Sequence, residues 1–330
     1  MLVAGAGLAG LVCAARLREL GKRPRVIEKG TRAGGSMLLS SCVIWRHLDL
    51  DAFRAECPDG EPALQRLIWE RLDESLGWLE SLGAEPVWRD TENPLTTGRR
   101  YDPRALTALL AAAAGNVELE TPLAADAEPP VLLATGGFGA RLARERGLLL
   151  RANPWSEGDG LDYAAARGAA TTAGMDEFYG RAMPAPPARI REEDFVPLAQ
   201  LYGREARVFT DDWREITPPT VAWHENDLAQ LIGPRAWYVV AETNERIEAA
   251  RAAGGTVRRS EDGTLAVHVA AAVTHTIGGL QVDMQARVSG VDGIWAAGVD
   301  AGGVANGGYA SGLAQALVLG LAAAESVAAG

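Results

Sequence analysis

The sequence predicts an α/β fold, with a parallel central sheet covered by helices and a small inserted α+β unit. Three observations predict it. Short apolar runs end directly in glycines near positions 4, 134 and 297, which is typical of buried strands followed by tight turns. Apolar helical patterns follow the first and last of these runs. Between about 183 and 263 prolines cluster and charges mix, which indicates an insert.

The composition limits the classes of partner. The 330 residues are 48% hydrophobic and 23% charged, as in soluble globular proteins, and can bury a large core in two structural units. A net charge of −11 argues against nucleic acid or an anionic membrane surface as a partner. Cys13, Cys42 and Cys57 form no C-x-x-C pair, so we expect neither a metal site nor a disulfide framework.

The cysteine pattern fits a reducing cytoplasm best, so we expect a cytoplasmic protein. No charged leader precedes an apolar stretch at the N-terminus, so we expect no signal peptide. The apolar segment GLAQALVLGLAAA near the C-terminus is expected to be too short and too glycine-broken to cross a bilayer. We expect it to form a buried helix, and we expect no membrane span.

The first element is a strand that runs into glycines. Residues 2–4 predict a short buried strand, and Gly5, Gly7 and Gly10 fit the pattern G-x-G-x-x-G. The first glycine permits a tight turn, the second lets the backbone approach a pyrophosphate, and the third lets helix and strand pack closely. Apolar spacing from 8 to 20 predicts a helix that stops at Gly21.

A second strand, RVIEKG, ends in an acid. Glu28 follows Gly10 by 18 residues, about where a carboxylate would accept both hydroxyls of an adenosine ribose. Strand, glycines, helix, strand and acid together predict a Rossmann-like dinucleotide site. They do not choose between NAD and FAD, and a glycine turn in a plain α/β protein remains the alternative.

The middle of the chain alternates helices and turns. GTRAGGSMLLSSCVIW is a small-residue loop, either a binding surface or an ordinary flexible loop. An amphipathic helix follows from about 61, and another begins after Asp102, a plausible N-cap. The apolar run 131–134 predicts a strand that turns at TGG, and the GDG around Asp159 opens a further helix.

The pattern of the first part returns after the insert. GIWAAGVDAGG is a strand that runs into glycine, and a long apolar helix follows it. We therefore expect a nucleotide-binding domain formed by residues 1–182 and 264–330, interrupted by a reduced cap or substrate domain over 183–263.

Several motifs in order resemble one family. GAGLAG with Glu28, GGSMLLSS, ATGGF, EGDG, HTIGGLQVD and GIWAAGVDAGG resemble the FAD-dependent fumarate reductase and succinate dehydrogenase flavoproteins, which include the 3-ketosteroid Δ1-dehydrogenases. The resemblance runs along nearly the whole chain and implies FAD rather than NAD. It also implies noncovalent FAD, because the histidine that tethers FAD in succinate dehydrogenases has no counterpart in GGSMLLSS.

The resemblance implies contacts along the whole cofactor, and we expect no metal. The phosphates would meet Gly5, Ala6, Gly7, Leu8, Ala9 and Gly10, and the adenosine ribose would meet Glu28 with Lys29 beside it. The flavin would meet Gly34, Gly35, Ser36, Ser40 and Ser41. The remaining contacts would come from Ala134, Thr135, Gly136 and Asp159, from Gly298 and Asp300 at the ribityl chain, and from the backbone N–H groups of Gly312 and Leu313 at the pyrimidine.

The chain departs from the dicarboxylate enzymes at their substrate residues. Their H-x-T-x-G-G histidine falls on Thr274, with His275 one place later. Their arginine after asparagine is absent, because Gly307 follows Asn306. A guanidinium is what bidentate carboxylate recognition would need. These differences disfavour fumarate or succinate as the substrate.

Three residues are candidate catalytic groups. Tyr309 lies in the loop before the flavin-facing helix, where it could polarise a carbonyl, or it could simply pack. His275 is a candidate proton donor, with a structural histidine as the alternative. Arg214 is a candidate from the segment GREARVFTDDWREIT, which resembles a family segment without aligning cleanly at the catalytic arginine.

The resemblance implies an FAD-dependent oxidoreductase that moves a hydride between flavin N5 and an organic substrate, at a C–C bond next to a carbonyl. The alternatives are a dicarboxylate reductase with relocated substrate residues, and a flavin-binding or electron-transfer protein without catalysis of its own. We expect a small-molecule substrate of hydrophobic character and an electron donor or acceptor that the sequence does not identify. The short insert leaves an open site, a site closed by a second subunit in a homo-oligomer, or one filled by a large substrate.

Overall fold

The computed structural model describes residues 1–219 and 224–330. They divide into two compact units: unit 1 is Met1–Phe138, Asn153–Glu177 and His275–Gly330, and unit 2 is Gly139–Ala152 and Phe178–Thr274. The strands are β1 (Leu2–Ala4), β2 (Arg25–Ile27), β3 (Val43–His47), β4 (Pro86–Trp88), β5 (Thr96–Tyr101), β6 (Val117–Glu118), β7 (Val131–Leu133), β8 (Leu149–Leu150), β9 (Phe178–Pro184), β10 (Arg207–Thr210), β11 (Ala236–Val240), β12 (Val257–Arg259), β13 (Leu265–Thr276) and β14 (Ile294–Ala296). The helices are α1 (Leu8–Glu19), α2 (Leu50–Glu56), α3 (Pro62–Ser81), α4 (Pro103–Ala114), α5 (Gly139–Arg146), α6 (Asp159–Ala165), α7 (Glu225–Ile232), α8 (Glu245–Ala252) and α9 (Gly312–Ala329).

Unit 1 is built on a parallel sheet with the strand order β14-β7-β1-β2-β6. Ala4, at the end of β1, pairs with Ile27 on one side and Leu133 on the other. The carboxyl ends of these three strands therefore lie at one edge of the sheet, where open α/β sheets bind ligands. The predicted α/β class and the parallel central sheet are confirmed.

Helices α1 and α4 of unit 1 begin where their sequences predict. Asp102 caps α4, because its carboxylate accepts hydrogen bonds from the backbone N–H groups of Arg104 and Ala105 at 2.9 and 2.8 Å. Helix α1 covers the sheet and packs against α4 and α9. Its predicted end is also close: the helix stops at Glu19, and Gly21 takes the left-handed backbone (φ 74°) that follows many helix ends.

Helix α9 is longer than the sequence suggests. It spans 18 residues, and its mean hydropathy of 1.5 makes it long and apolar enough to cross a membrane by length and composition. The expectation that this segment is too short to span was wrong on length, because the helix continues to Ala329. In the structure 67% of it is buried, and it packs against α1 and α3 as a core helix of unit 1.

In its described residues, unit 2 combines an antiparallel-rich sheet with the helices α5, α7 and α8. Its strands run in the order β10-β11-β13-β12, and β8 and β9 also pair with β13. Unit 2 is wider than the expected insert 183–263, since the long strand β13 recruits β8, and with it the segment Gly139–Ala152. Composition marks the proline-rich loops of the insert, but it does not mark strands contributed from outside it.

Candidate functional site

The glycine loop after β1 has an open outer face. A Cβ added to Gly5 would lie 2.1 Å from the carbonyl oxygen of Ala134, and one added to Gly10 would lie 1.9 Å from that of Gly5. These two glycines are required by the close approach of protein backbone. A Cβ on Gly7 would have its nearest neighbour, the Cα of Gly35, 4.0 Å away. The space beside Gly7 is thus not taken by packed protein atoms.

The first turn of α1 offers backbone donors to this space. Gly7 is the N-cap residue, and no side chain caps the helix. The first N–H groups of a helix have no partner within it, and Leu8, Ala9 and Gly10 supply them here. The partial positive charge of a helix N-terminus and the open space at Gly7 together suit a phosphate group.

Glu28 is buried beside the same loop. It is 6% exposed, and its two carboxylate oxygens accept hydrogen bonds from the backbone N–H groups of Ala6 and Gly30, each at 2.8 Å. The carboxylate therefore holds the glycine loop in place. Each of its oxygens keeps a further lone pair for another donor such as a ribose hydroxyl.

A small cleft that opens to solvent, with a cavity volume of about 20 Å³, lies at this edge of the sheet. Glu28, Lys29, Thr135 and Asp159 line it, and all four were predicted cofactor contacts. Lys29 Nζ lies 2.9 Å from Asp159 Oδ2, so these two charges pair with each other at the cleft.

Sequence reasoning missed other lining residues of this cleft. They come from the ends of strands and from the loop before α6: Thr121, Leu123, Asn153 and Trp155. The indole of Trp155 lies against Gly30, where an added Cβ would come within 2.3 Å of the ring. The position of Thr121 in the chain could have predicted its place in the cleft, because it follows the carboxyl end of β6 in the parallel sheet.

The predicted flavin loop lies against the glycine loop. Gly34 bridges to Gly7, and Gly34 and Gly35 have positive φ angles of 110° and 53°. The serine hydroxyls that follow make protein contacts: Ser36 Oγ accepts from the N–H of Asn153 at 3.1 Å, and Ser40 Oγ donates to the carbonyl of Met37 at 2.8 Å. The structure therefore brings these small residues next to the glycine loop. At least two of the serine hydroxyls are held by hydrogen bonds to the protein backbone.

Asp300, the expected ribityl contact, is enclosed by the turn after β7. It is 1% exposed, and its carboxylate accepts hydrogen bonds from the N–H and hydroxyl groups of Thr135 and from the N–H groups of Gly136 and Gly137. Burial raises the pKa of this carboxyl, and the hydrogen bonds act in the opposite direction. The ribityl contact expected of Asp300 does not fit an enclosed carboxylate that is already saturated with donors.

The same bonds change the role of the turn after β7. The N–H groups of Thr135 and Gly136 were predicted to lie near the phosphates or adenosine. Because Asp300 accepts them, these N–H groups bond within the protein, and Thr135 is the residue of this turn that also lines the cleft. Ala134 pairs with Ala4 through its own N–H at 2.8 Å and continues the sheet edge.

Two predicted residues meet at the N-terminus of α9. Ser311 caps the helix, with its hydroxyl accepting from the N–H of Ala314 at 3.2 Å. The imidazole of His275 lies beside Gly312, where an added Cβ would come within 3.0 Å of Nε2. The N–H groups of Gly312 and Leu313 belong to this first turn, as predicted for a flavin-facing helix end.

Tyr309 lies in the loop that leads into α9. Its ring packs at 5.4 Å, centroid to centroid, against that of Trp45. The loop is fixed by two contacts: Glu177 Oε2 accepts from the N–H of Gly307 at 3.0 Å, and Asn306 Nδ2 donates to the carbonyl of Ala173 at 2.9 Å. Asn306 is thus a loop anchor here.

The remaining candidates belong to unit 2 or to the turn after β14. Arg214 is exposed (79%) and pairs with Asp212 at 2.9 Å, which is the geometry of a surface ion pair. Thr274, in the place of the family's histidine, accepts a hydrogen bond from Arg151 Nη1 at 3.2 Å. No sequence motif predicted this contact. Gly298 has a φ of +67°, and its carbonyl accepts from Gln315 Nε2 at 2.9 Å.

Over residues 1–219 and 224–330, no group of three or more His, Cys, Asp or Glu side chains is arranged to hold a metal ion.

Comparison with known proteins supports the nucleotide-binding part. Residues 3–41 match the family model described as an NAD(P)-binding Rossmann-like domain. Among curated proteins, none matches the chain significantly.

Solved structures match over 99% of the chain. One is the open conformation of a flavocytochrome c3 fumarate reductase, with 19% identity, a TM-score of 0.72 and 78% of that chain covered. Another is a 3-ketosteroid Δ1-dehydrogenase from Sterolibacterium denitrificans, with 14% identity, a TM-score of 0.72 and 99% covered. A third is a 3-ketosteroid Δ4-(5α)-dehydrogenase from Rhodococcus jostii, with 19% identity, a TM-score of 0.66 and 96% covered. The chain therefore has the fold that fumarate reductase flavoproteins and 3-ketosteroid dehydrogenases share, as the motifs predicted.

Proposed function

We propose that this protein is an FAD-dependent oxidoreductase that transfers a hydride between flavin N5 and a carbon of an organic substrate, at a C–C bond next to a carbonyl. The observation that carries the proposal is the match of its fold, over 99% of the chain, to fumarate reductases and ketosteroid dehydrogenases. The proposal specifies the substrate, the reaction direction and the electron partner only by chemical class.

The residues of unit 1 fit such a cofactor at both ends. The open space at Gly7 and the uncapped first turn of α1 suit the pyrophosphate. The buried carboxylate of Glu28 suits the adenosine ribose. The first turn of α9, at Gly312 and Leu313, suits the flavin pyrimidine, where negative charge develops on reduction. The binding is proposed to be noncovalent.

FAD, when bound, supplies the acceptor or donor of the hydride. The chain supplies the polar groups around the substrate. Tyr309 is proposed to donate a hydrogen bond to the substrate carbonyl oxygen, which stabilises the negative charge that an enolate carries. His275 is proposed to hold the proton that leaves or joins the neighbouring carbon. Both belong to the segments that meet at the start of α9.

A non-catalytic flavin protein is the second candidate. The observation that favours it is Thr274, which stands in the place of the family's substrate histidine and bonds to Arg151. The dicarboxylate alternative is less supported, because the loop position after Asn306 is a glycine whose N–H bonds to Glu177. Homo-oligomer formation and a cytoplasmic location remain predictions.

The absorbance spectrum of the purified protein tests the cofactor first. We expect peaks near roughly 370 and 450 nm that heat or acid releases into solution, as for a noncovalent flavin. A colourless protein that gains nothing when incubated with FAD would overturn the proposal.

Anaerobic stopped flow then tests catalysis. Saturated ketones should bleach the oxidised flavin, or enones should reoxidise the reduced flavin, and fumarate is the comparison substrate. Tyr309→Phe should slow this step more than it weakens flavin binding. Flavin that binds but responds to no substrate would favour the non-catalytic candidate, and a response to fumarate alone would favour the dicarboxylate reductase.

A further inference from the structure

A buried carboxylate fills the backbone turn that follows β7. We propose that Asp300 is a positioning residue for the adenosine end of the cofactor site: it fixes the turn Thr135–Gly137 and, through the Thr135 hydroxyl, the start of α6. The inference rests on the proposed function and adds to it, since it removes Asp300 from the cofactor contacts and gives it a different task.

The carboxylate of Asp300 accepts the backbone hydrogen bonds of the turn after β7. Three consecutive N–H groups, from Thr135 to Gly137, converge on its two oxygens, with distances of 3.2 Å from Gly136 and from Gly137. Consecutive N–H groups in a turn form a nest that binds anions. In this protein the anion is part of the chain, and it is 1% exposed. The turn is therefore built around an internal charge.

The hydroxyl of Thr135 links Asp300 to helix α6. It donates to Asp300 Oδ1 at 2.9 Å and accepts from the N–H of Gly160 at 3.1 Å. One hydroxyl group has one proton, so donation to the carboxylate leaves its lone pairs for Gly160. Asp300 thereby orients the hydroxyl, and the hydroxyl holds the first turn of α6.

The first turn of α6 connects this hydrogen-bonded pair to the cleft. Gly160 lies so close to this pair that an added Cβ would be 2.8 Å from Thr135 Oγ1 and 3.1 Å from Asp300 Oδ1. Its neighbour Asp159 pairs with Lys29, and Thr135, Asp159 and Lys29 all line the cleft together with Glu28. The enclosed carboxylate thus sets the position of one wall of the cleft without touching what binds there.

The test compares ligands that report on different ends of the site. The variants are Asp300→Asn, Thr135→Val and Thr135→Ser, with Asp126→Asn as the matched control on an exposed turn. The probes are FAD and riboflavin, followed by flavin fluorescence, and ADP, followed by calorimetry. Thermal unfolding of each apo variant is recorded alongside.

We expect Asp300→Asn to weaken ADP and FAD binding by about tenfold, because charge-assisted hydrogen bonds to the turn are lost. Riboflavin affinity should stay unchanged, and so should every affinity of Asp126→Asn. Thr135→Val should weaken ADP binding, Thr135→Ser should restore it, and the effect of Thr135→Val should be smaller in the Asp300→Asn background.

Four outcomes would overturn the inference. Unchanged ADP and FAD affinities in Asp300→Asn, with wild type binding both, would remove the positioning role and leave the proposed function intact. Equal losses for riboflavin and ADP would reduce Asp300 to general stability. If Asp300→Asn does not fold, the Thr135 pair decides, and ADP binding by Thr135→Val equal to that of Thr135→Ser would overturn it. Wild type that binds neither FAD nor ADP would overturn the proposed function as well.

Discussion

The two glycine turns at the edge of the unit 1 sheet look alike in sequence and differ in what they hold. After β1, the loop around Gly7 leaves space beside its backbone and an uncapped helix end. After β7, the turn Thr135–Gly137 has its N–H groups bonded to Asp300. A strand that ends in glycines therefore predicts backbone donors, but it does not predict whether a ligand or the protein itself accepts from them.

The largest expected effect is the difference in the free energy of unfolding between alanine substitutions at two glycines of the first loop. Gly10→Ala places a Cβ 1.9 Å from the backbone oxygen of Gly5, so we expect it to lower the free energy of unfolding by about 3 kcal/mol. Gly7→Ala has no such close neighbour, so its cost should be limited to that of a poorer N-cap residue, about 1 kcal/mol or less. Denaturant unfolding measures both.

The contrast sharpens when cofactor binding is measured on the same pair. Because its methyl group enters the space beside the loop, Gly7→Ala should weaken FAD binding by about tenfold in a fluorescence titration, although it costs much less stability than Gly10→Ala. If Gly7→Ala binds FAD as wild type does, the loop does not receive the pyrophosphate.

Glu28→Gln tests the acid that holds the first loop. A glutamine has one acceptor oxygen, so the N–H of Ala6 or of Gly30 loses its carboxylate partner. We expect a loss of about 1–3 kcal/mol in the free energy of unfolding. The exposed Glu128→Gln is the control, and similar stabilities of the two variants would contradict the structural role.

The second turn predicts a pH dependence. Burial raises the pKa of Asp300 in the folded protein above its ordinary value of 3.8, so just above pH 3.8 this carboxyl holds its proton more often in the folded than in the unfolded chain. The contribution of Asp300 to stability is then fully present below pH 3.8 and is lost as pH rises through the folded pKa.

Subtracting Asp300→Asn from wild type isolates this contribution, because the other carboxylates are common to both. The difference between their free energies of unfolding should fall as pH rises from about 3.8 and then level off. A difference that rises over this range would mean that the hydrogen bonds from the turn outweigh burial.

The smallest effect concerns the ion pair at the cleft. Lys29 and Asp159 have partly exposed side chains, at 35% and 28%, and exposed pairs contribute about 1 kcal/mol or less. A double-mutant cycle of Lys29→Met and Asp159→Asn should give a small coupling energy that salt reduces further. A coupling above about 2 kcal/mol would place this pair among the main supports of the cleft.

Local patterns predicted the parts of the site that local geometry determines. Gly5, Gly10 and Glu28 act within one strand-loop-helix-strand unit, so their spacing carries the information. The parallel sheet was predictable for the same reason, since each apolar run ends at the same edge.

Contacts between distant segments were not predictable. The direction of Asp300 depends on a turn 165 residues earlier in the chain, and the bond between Thr274 and Arg151 spans 123 residues. No spacing in one sequence encodes such pairs. The width of unit 2 was missed for a similar reason, since β8 joins β13 from outside the insert.

The length of β13 has a consequence for the histidine near its end. The strand continues without a break from Leu265 to Thr276, and neighbouring side chains along a strand point to opposite sides. A shift of its register by a single residue, as a deletion in the hairpin before it would cause, would turn the side chains of Thr274 and His275 each to the opposite face of the strand. Whether an imidazole stands beside α9 is therefore decided by how many residues precede it as much as by which residue occupies position 275.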